Sequence, residues 1–172
     1  MKHFYKKVSL CLMAIMTAAN IFAETVEIDG ITYDTDADNK CAIVSKVPDT
    51  QVGVVVILEI ITYDNTEYKV KEIGPEAFYR CEQITSVNLP NIITTIGDKA
   101  FWGCSRIKSF NFPESLTTIG KEAFYACPFK TIYIPESVTS IEDGVFKCCF
   151  HLTSVVLPNT ITKIGENAFS IL

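Results

Sequence analysis

The second half of the chain repeats one pattern of apolar and polar positions at a nearly fixed interval. Ile73-Gly74, Ile96-Gly97, Ile119-Gly120, Ile141-Glu142 and Ile164-Gly165 open successive copies, with steps of 23, 23, 22 and 23 residues. In the first copy the later apolar positions are Ala77, Phe78, Cys81, Ile84, Val87 and Leu89, followed by Pro90. The second carries Ala100, Phe101, Cys104, Ile107, Phe110, Phe112 and Pro113 at the same offsets. The third is one residue short between Cys127 and Phe129, the fourth runs from Ile141 to Pro158, and the fifth has begun by Ala168 and Phe169. A fixed period of this size marks a stacked array, in which each unit buries its apolar face against its neighbours.

Within each copy the residues before the proline read apolar-x-apolar, the period of a strand with one buried face. Pro90, Pro113, Pro135 and Pro158 end these strands, because proline has no N–H to give a ladder. All units run the same way, so stacked strands must be parallel. A second short extended piece is expected at Thr94–Ile96, Thr117–Ile119, Thr139–Ile141 and Thr162–Ile164. The glycine after each isoleucine is read as permitting a tight turn, which Glu142 would alter. The Ala-Phe-x-x-Cys piece is too short for an independent helix and predicts a turn or helical turn held by packing.

Residues 24–72 read as a β-rich lead-in of two hairpins. Ile31–Tyr33 and Cys41–Val44 flank a turn-rich Asp34–Asn39 stretch, and Val54–Ile61 and Tyr68–Ile73 flank Asp64–Glu67. Their expected role is to cap the first repeat, whose strand edges would otherwise be open. Asp34, Asp36 and Asp38 have the alternate spacing of a calcium loop. Asn39 then stands where glycine is needed and Ser45 where a bidentate glutamate is needed, so a solvated turn is expected and no metal site.

The Ile-Gly-x-x-Ala-Phe-x-x-Cys block followed by Val-x-Leu-Pro resembles the BspA-type leucine-rich repeats, closely over Ile73 to Leu172 and loosely over Glu24 to Glu72. The expected fold is therefore mainly β: a leucine-rich-repeat solenoid with parallel strands, short turns or helical turns on its convex side, and a β-hairpin-rich N-terminal cap. Three regions follow: a signal peptide over 1–23, the lead-in over 24–72, and about four and a half repeats over 73–172. The resemblance implies secreted or cell-surface display and non-catalytic protein–protein binding or adhesion, with a host matrix or cell-surface protein as partner. The alternative is a truncated structural fragment with no partner of its own.

Charge and termini narrow the partners. Lys2, Lys6 and Lys7 precede an apolar run from Val8 to about Ala19, and Ala23 is a suitable residue before cleavage, as in a secretory signal peptide. Residues 1–23 hold three of the 15 basic residues and none of the 20 acidic ones, leaving a formal charge of −8 on the remainder. A surface of that sign argues against nucleic acid, and no transmembrane span is expected after signal removal. Because the fifth copy breaks off at Leu172, self-association through an uncapped C-terminal coil is a further expectation.

Six cysteines follow residue 23, and Cys81, Cys104, Cys127 and Cys149 share one repeat position. They are read as a column of small buried residues. Disulfides between neighbouring rungs and a zinc site are the other readings, which parallel side chains and a linear column do not favour. No catalytic constellation is expected. His151 is the only histidine after residue 23, and a thiol–imidazole pair with Cys149 would still need an orienting group and an oxyanion site.

Candidate binding residues are those facing outward between buried strand positions. One set is Ser86, Asn88, Ser109, Asn111, Thr131, Tyr133, Ser154 and Val156, with Lys108 and Lys130 just before the strands. Tyr133 and Val156 are its candidate anchors, and plain solvated strand is the other reading. A second set is the aromatic column Tyr79, Trp102 and Tyr125, followed by Lys147. It has two readings, a stacking ridge for sugar or peptide and packing between coils.

Overall fold

A computed structural model describes residues 24–171. The sequence-predicted signal peptide over 1–23 lies outside the described residues. Among the described residues thirteen strands occur, in the order β1 (Glu24–Ile28), β2 (Ile31–Asp36), β3 (Cys41–Lys46), β4 (Gly53–Val56), β5 (Ile60–Tyr63), β6 (Thr66–Ile73) and β7 (Ile84–Asn88). Then follow β8 (Thr95–Ile96), β9 (Thr118–Ile119), β10 (Thr131–Tyr133), β11 (Ser140–Ile141), β12 (Ser154–Val156) and β13 (Lys163–Ile164). Among the described residues there is no helix, so none is long and apolar enough to cross a membrane.

The chain winds as a solenoid. Coil 1 starts at Ile73, coil 2 at Ile96, coil 3 at Ile119, coil 4 at Ile141 and coil 5 at Ile164. Strands of successive coils pair in parallel: β6 with β8, β8 with β9, β10 with β12 and β11 with β13. Lead-in and array share one sheet, because β3 pairs in parallel with β6 while β2 lies antiparallel on the other edge of β3 and β1 on β2. The first predicted hairpin is present as β2–β3.

The second is only half present. β5 pairs antiparallel with β6, but Gly53–Val56 leaves the hairpin and pairs in parallel with β7, Val55 opposite Val87. The cause is local. Val55 and Ile57 point inward with the apolar-x-apolar spacing of a repeat strand, so this segment behaves as the strand of an additional, degenerate coil before Ile73.

The convex side consists of paired turns. In each full coil the third and seventh residues after the opening isoleucine have positive φ: Glu76 and Arg80, Lys99 and Gly103, Glu122 and Ala126, Gly144 and Cys148. This curls the Ala-Phe-x-x-Cys piece into two successive turns and aims three N–H groups at the next coil. Glu76, Phe78 and Arg80 donate to the carbonyls of Asp98, Ala100 and Trp102 at 2.7–2.9 Å. The same triplet recurs at each later junction, ending with Gly144, Phe146 and Cys148 donating to Glu166, Ala168 and Ser170. Beneath it the core phenylalanines stack ring on ring, Phe78 to Phe101 to Phe124 to Phe146 to Phe169, with centroids 4.6–5.7 Å apart.

Two expectations are corrected by this packing. The glycines after each isoleucine are not needed for left-handed backbone, since Gly74, Gly97, Gly120 and Gly165 are absent from the positive-φ positions. They are needed for close approach: a Cβ on Gly97 would meet Pro75 N at 2.6 Å, and one on Gly165 would meet Asp143 N at 2.5 Å. Glu142 has that Cβ, and there the ladder stops: β9 ends its sheet and β11 pairs with β13 alone.

The other correction concerns the second repeat. Residues 107–112 carry the strand pattern but form no strand, so the pre-proline sheet is divided into β4–β7 and β10–β12. Phe110 stands where Val87 and Ile132 stand in the adjacent copies, and its ring packs against Phe101, Phe124 and Phe129. Its side chain is buried in this aromatic cluster, and no backbone ladder joins these residues to β7 or β10.

The close-approach argument fixes the sign of two substitutions. Gly97→Ala should lower the unfolding free energy by about 1–3 kcal/mol, as overpacking does. Glu142→Gly should raise it by allowing β9 and β11 to pair, and urea unfolding of both variants beside the parent measures this.

Candidate functional site

The repeat's small residues face inward and are fully used there. The column thiols of Cys104, Cys127 and Cys149 donate to the carbonyls of Phe78, Phe101 and Phe124 at 3.1–3.2 Å, each reaching back one coil. Cys81 lies at 3.6 Å from the carbonyls of Val47 and Pro48 in the lead-in. All six cysteines from Cys41 to Cys149 are free. The column thus has a role that spacing alone does not reveal: each thiol is a small apolar filler and also a weak donor to a buried carbonyl.

Burial also makes these thiols hard to ionise. It pushes Cys81 up to about 11 and Cys149 up to about 12, and it holds Cys104 and Cys127 well above the usual value of 9.0. Cys149 therefore faces the core as a neutral donor while His151 is exposed, and the two do not form the reactive pair considered from sequence.

Asp36 is turned inward, away from the calcium geometry that its spacing imitates. Its carboxylate accepts from the backbone N–H of Asp38 and Asn39 and from Asn39 Nδ2, which holds it below the usual carboxylate range. Asp34 accepts from Thr25 Oγ1 at 2.8 Å. Among the described residues no group of three or more His, Cys, Asp or Glu is placed to hold a metal ion.

The aromatic column Tyr79, Trp102 and Tyr125 is brought together. Its rings stack at centroid distances of 5.0 and 4.9 Å, with interplanar angles of 18° and 4°. Both faces of Trp102 are covered, and Cys148 Sγ lies 3.2 Å from Tyr125 Oη. Only ring edges and the outer faces of the end residues remain, so this arrangement is packing between coils more than a platform. The outer end, Tyr79, borders a groove of about 720 Å³ with Lys46, Asp49 and Glu76.

On the strand face, Asn88, Lys108, Ser109, Asn111, Lys130, Tyr133, Ser154 and Val156 are exposed, while Ser86 and Thr131 are half-buried. Tyr133 is 67 % exposed and sits directly opposite Val156, itself 48 % exposed, in the β10–β12 ladder. The unpaired segment of the second repeat adds a feature that periodicity could not show. It leaves a groove of about 420 Å³ lined by Phe110, Asn111, Phe112, Tyr133, Ile134 and Pro135, with Glu114 and Glu136 on its walls. An aromatic, an aliphatic and two carboxylates thus meet at one place. Val54 and Val56, opposite Ser86 and Asn88, extend the face and were not in the sequence-derived set.

A family model described as "BspA type Leucine rich repeat region (6 copies)" matches residues 71–171. Among solved structures, a leucine-rich repeat protein from Bacteroides ovatus is 32% identical, with a TM-score of 0.63 over 84% of this chain and 44% of that one. A leucine rich cell surface protein from Faecalibacterium prausnitzii is 25% identical, with a TM-score of 0.63 over 86% and 52%. A leucine-rich repeat protein from Bacteroides capillosus is 25% identical, with a TM-score of 0.60 over 83% and 97%. The chain thus spans about half the length of the first two. No curated protein matches significantly.

The buried thiols set a pH dependence of stability. The unfolded chain exposes cysteines that ionise near 9.0, whereas the column retains its protons to higher pH. Stability should therefore be fully present below pH 9 and fall above it, by about 1.4 kcal/mol per pH unit for each column thiol. Urea midpoints from pH 8 to 10.5 read this slope, and replacing both Cys104 and Cys127 with alanine should halve the column's share of it.

Proposed function

The chain belongs to the BspA-type leucine-rich repeat family, and from that footing we propose a secreted or surface-displayed module that binds a protein partner without catalysis. The observation carrying this reading is the groove beside Tyr133. Phe112, Tyr133 and Val156 supply an apolar patch, and Glu114 and Glu136 supply a negative rim. Large, partly exposed aromatics beside a pocket are the usual anchors of protein interfaces. The partner that fits presents an apolar side chain flanked by lysine or arginine. The formal charge of −8 over residues after 23 favours the same sign of partner and speeds its approach.

Surface display is supported by the secretory pattern of residues 1–23 and by the family. The similar Faecalibacterium protein is described as a cell surface protein. The non-catalytic part is supported by the commitments of the candidate reactive groups. Cys149 is buried and protonated, the aromatic column is stacked upon itself, and the carboxylate of Asp36 is engaged in its own turn. The lead-in over residues 24–72 is read as the N-terminal cap, because within it β2 covers the edge of β3 that a preceding coil would otherwise occupy.

Surface plasmon resonance against a panel of immobilised matrix and cell-surface proteins tests the reading. A partner found this way should lose at least about tenfold in affinity with Tyr133→Ala, the scale of a hot-spot truncation, while far-UV circular dichroism stays the same. Equal affinity of the variant would move the interface away from this groove.

A further inference from the structure

β2 covers β3, but nothing among the described residues pairs with the other edge of β4. This edge is also apolar. Val52, Val54 and Val56 are 59, 57 and 56 % exposed, and Leu58 follows at 42 %. Gln51 to Leu58 contains no charge and no proline. Natural sheets normally protect an edge with lysine, proline or a bulge. Here the one irregularity, between Gly53 and Val54, precedes the exposed stretch and leaves Val54–Val56 regular.

The backbone of this edge is oriented for pairing. Gly53 and Ile57 donate toward β7, to the carbonyls of Gln83 and Asn88. In a parallel ladder the N–H and C=O of one residue point to the same side, and alternate residues point to opposite sides. Those of Val54 and Val56 therefore face outward from the sheet.

We propose that this edge is a dimerisation seam, in which β4 pairs antiparallel with β4 of a second copy about a twofold axis at Val55. The sequence matches itself in that register. Val54 faces Val56 of the other copy, Val52 faces Leu58, and Glu59 faces Gln51, so no two acids are opposed. Val54 and Val56 exchange four backbone hydrogen bonds across the axis. A symmetric contact of this kind closes after two copies and does not propagate into a fibre. The neutral, aliphatic seam favours a second copy over a charged partner in a chain that is otherwise acidic. One short strand buries less than the roughly 1,200–2,000 Å² of a stable interface, so the dimer is weak and concentration-dependent. The seam is independent of the Tyr133 groove and would join two strand faces into one continuous surface.

Sedimentation velocity of the purified protein over a wide concentration range tests this. The expected result is a weight-average mass rising from monomer toward dimer, with Val54→Lys and Val56→Lys each holding it at monomer and Tyr133→Ala leaving the rise intact. Circular dichroism of the lysine variants establishes that they remain folded, and Val54→Thr, which keeps a β-branched residue without charge, should dimerise more weakly than the parent. Monomer at every concentration would overturn the seam. So would a dimer that persists in both folded lysine variants, since it would place the contact elsewhere.

Discussion

Each coil is held to the next by three backbone hydrogen bonds between convex turns. Among the described residues this triplet recurs at every junction from coil 1 to coil 5. The strand columns do not: one is interrupted at residues 107–112 and the other between β9 and β11. The turn column sets a tight tolerance. Adjacent turns must lie within hydrogen-bonding distance, so whatever stands between them has to be small or flat. That requirement selects glycine where backbones nearly touch, alanine beside it, cysteine where a carbonyl needs a donor, and phenylalanine rings that stack. The left-handed residues belong to the same constraint. Glu76, Lys99 and Glu122 each adopt positive φ at a cost of roughly 1 kcal/mol or more, and the ladder on both sides keeps them there.

Much of this was legible in the sequence. The period gave the coils, the apolar alternation before proline gave β7, β10 and β12, and the Thr-x-Ile segments gave β8, β9, β11 and β13. The cysteines were recognisably interior. What the sequence concealed depends on neighbours in space. Nothing about Glu76 or Ala126 announces a left-handed turn, because the conformation is imposed by the adjoining coils. Glycine after isoleucine looked like a turn residue, although its value lies in the absence of a Cβ against the preceding coil. Val54–Ile61 reads as a hairpin strand because it and Tyr68–Ile73 flank the turn residues Asp64–Glu67, yet its inward pair Val55 and Ile57 follows the rule of the repeat strands.

The strand face was legible as a set of outward positions but not as a shape. Tyr133 could be named from alternation alone. The groove beside it could not, because it arises where Phe110 and Phe112 replace smaller residues and the strand loses its partners. Departures from the consensus therefore provide the individuality of the surface, whereas the consensus residues are spent on the interior. Serine and threonine occupy a middle position: Thr117, Ser115 and Thr160 reach back with their hydroxyls to carbonyls of the preceding coil.

The unequal continuity of the columns has a mechanical consequence. The convex side is a continuous spine of short hydrogen bonds over stacked rings, and it resists extension. The opposite side is jointed where residues 107–112 lack strand partners. A body that is stiff along one side and jointed along the other yields most readily by bending. At the level of residues 107–112 the coils on either side of Phe110 meet through its ring, packed on Phe101, Phe124 and Phe129, and not through a strand ladder, so side-chain contacts there take the load that backbone hydrogen bonds carry elsewhere.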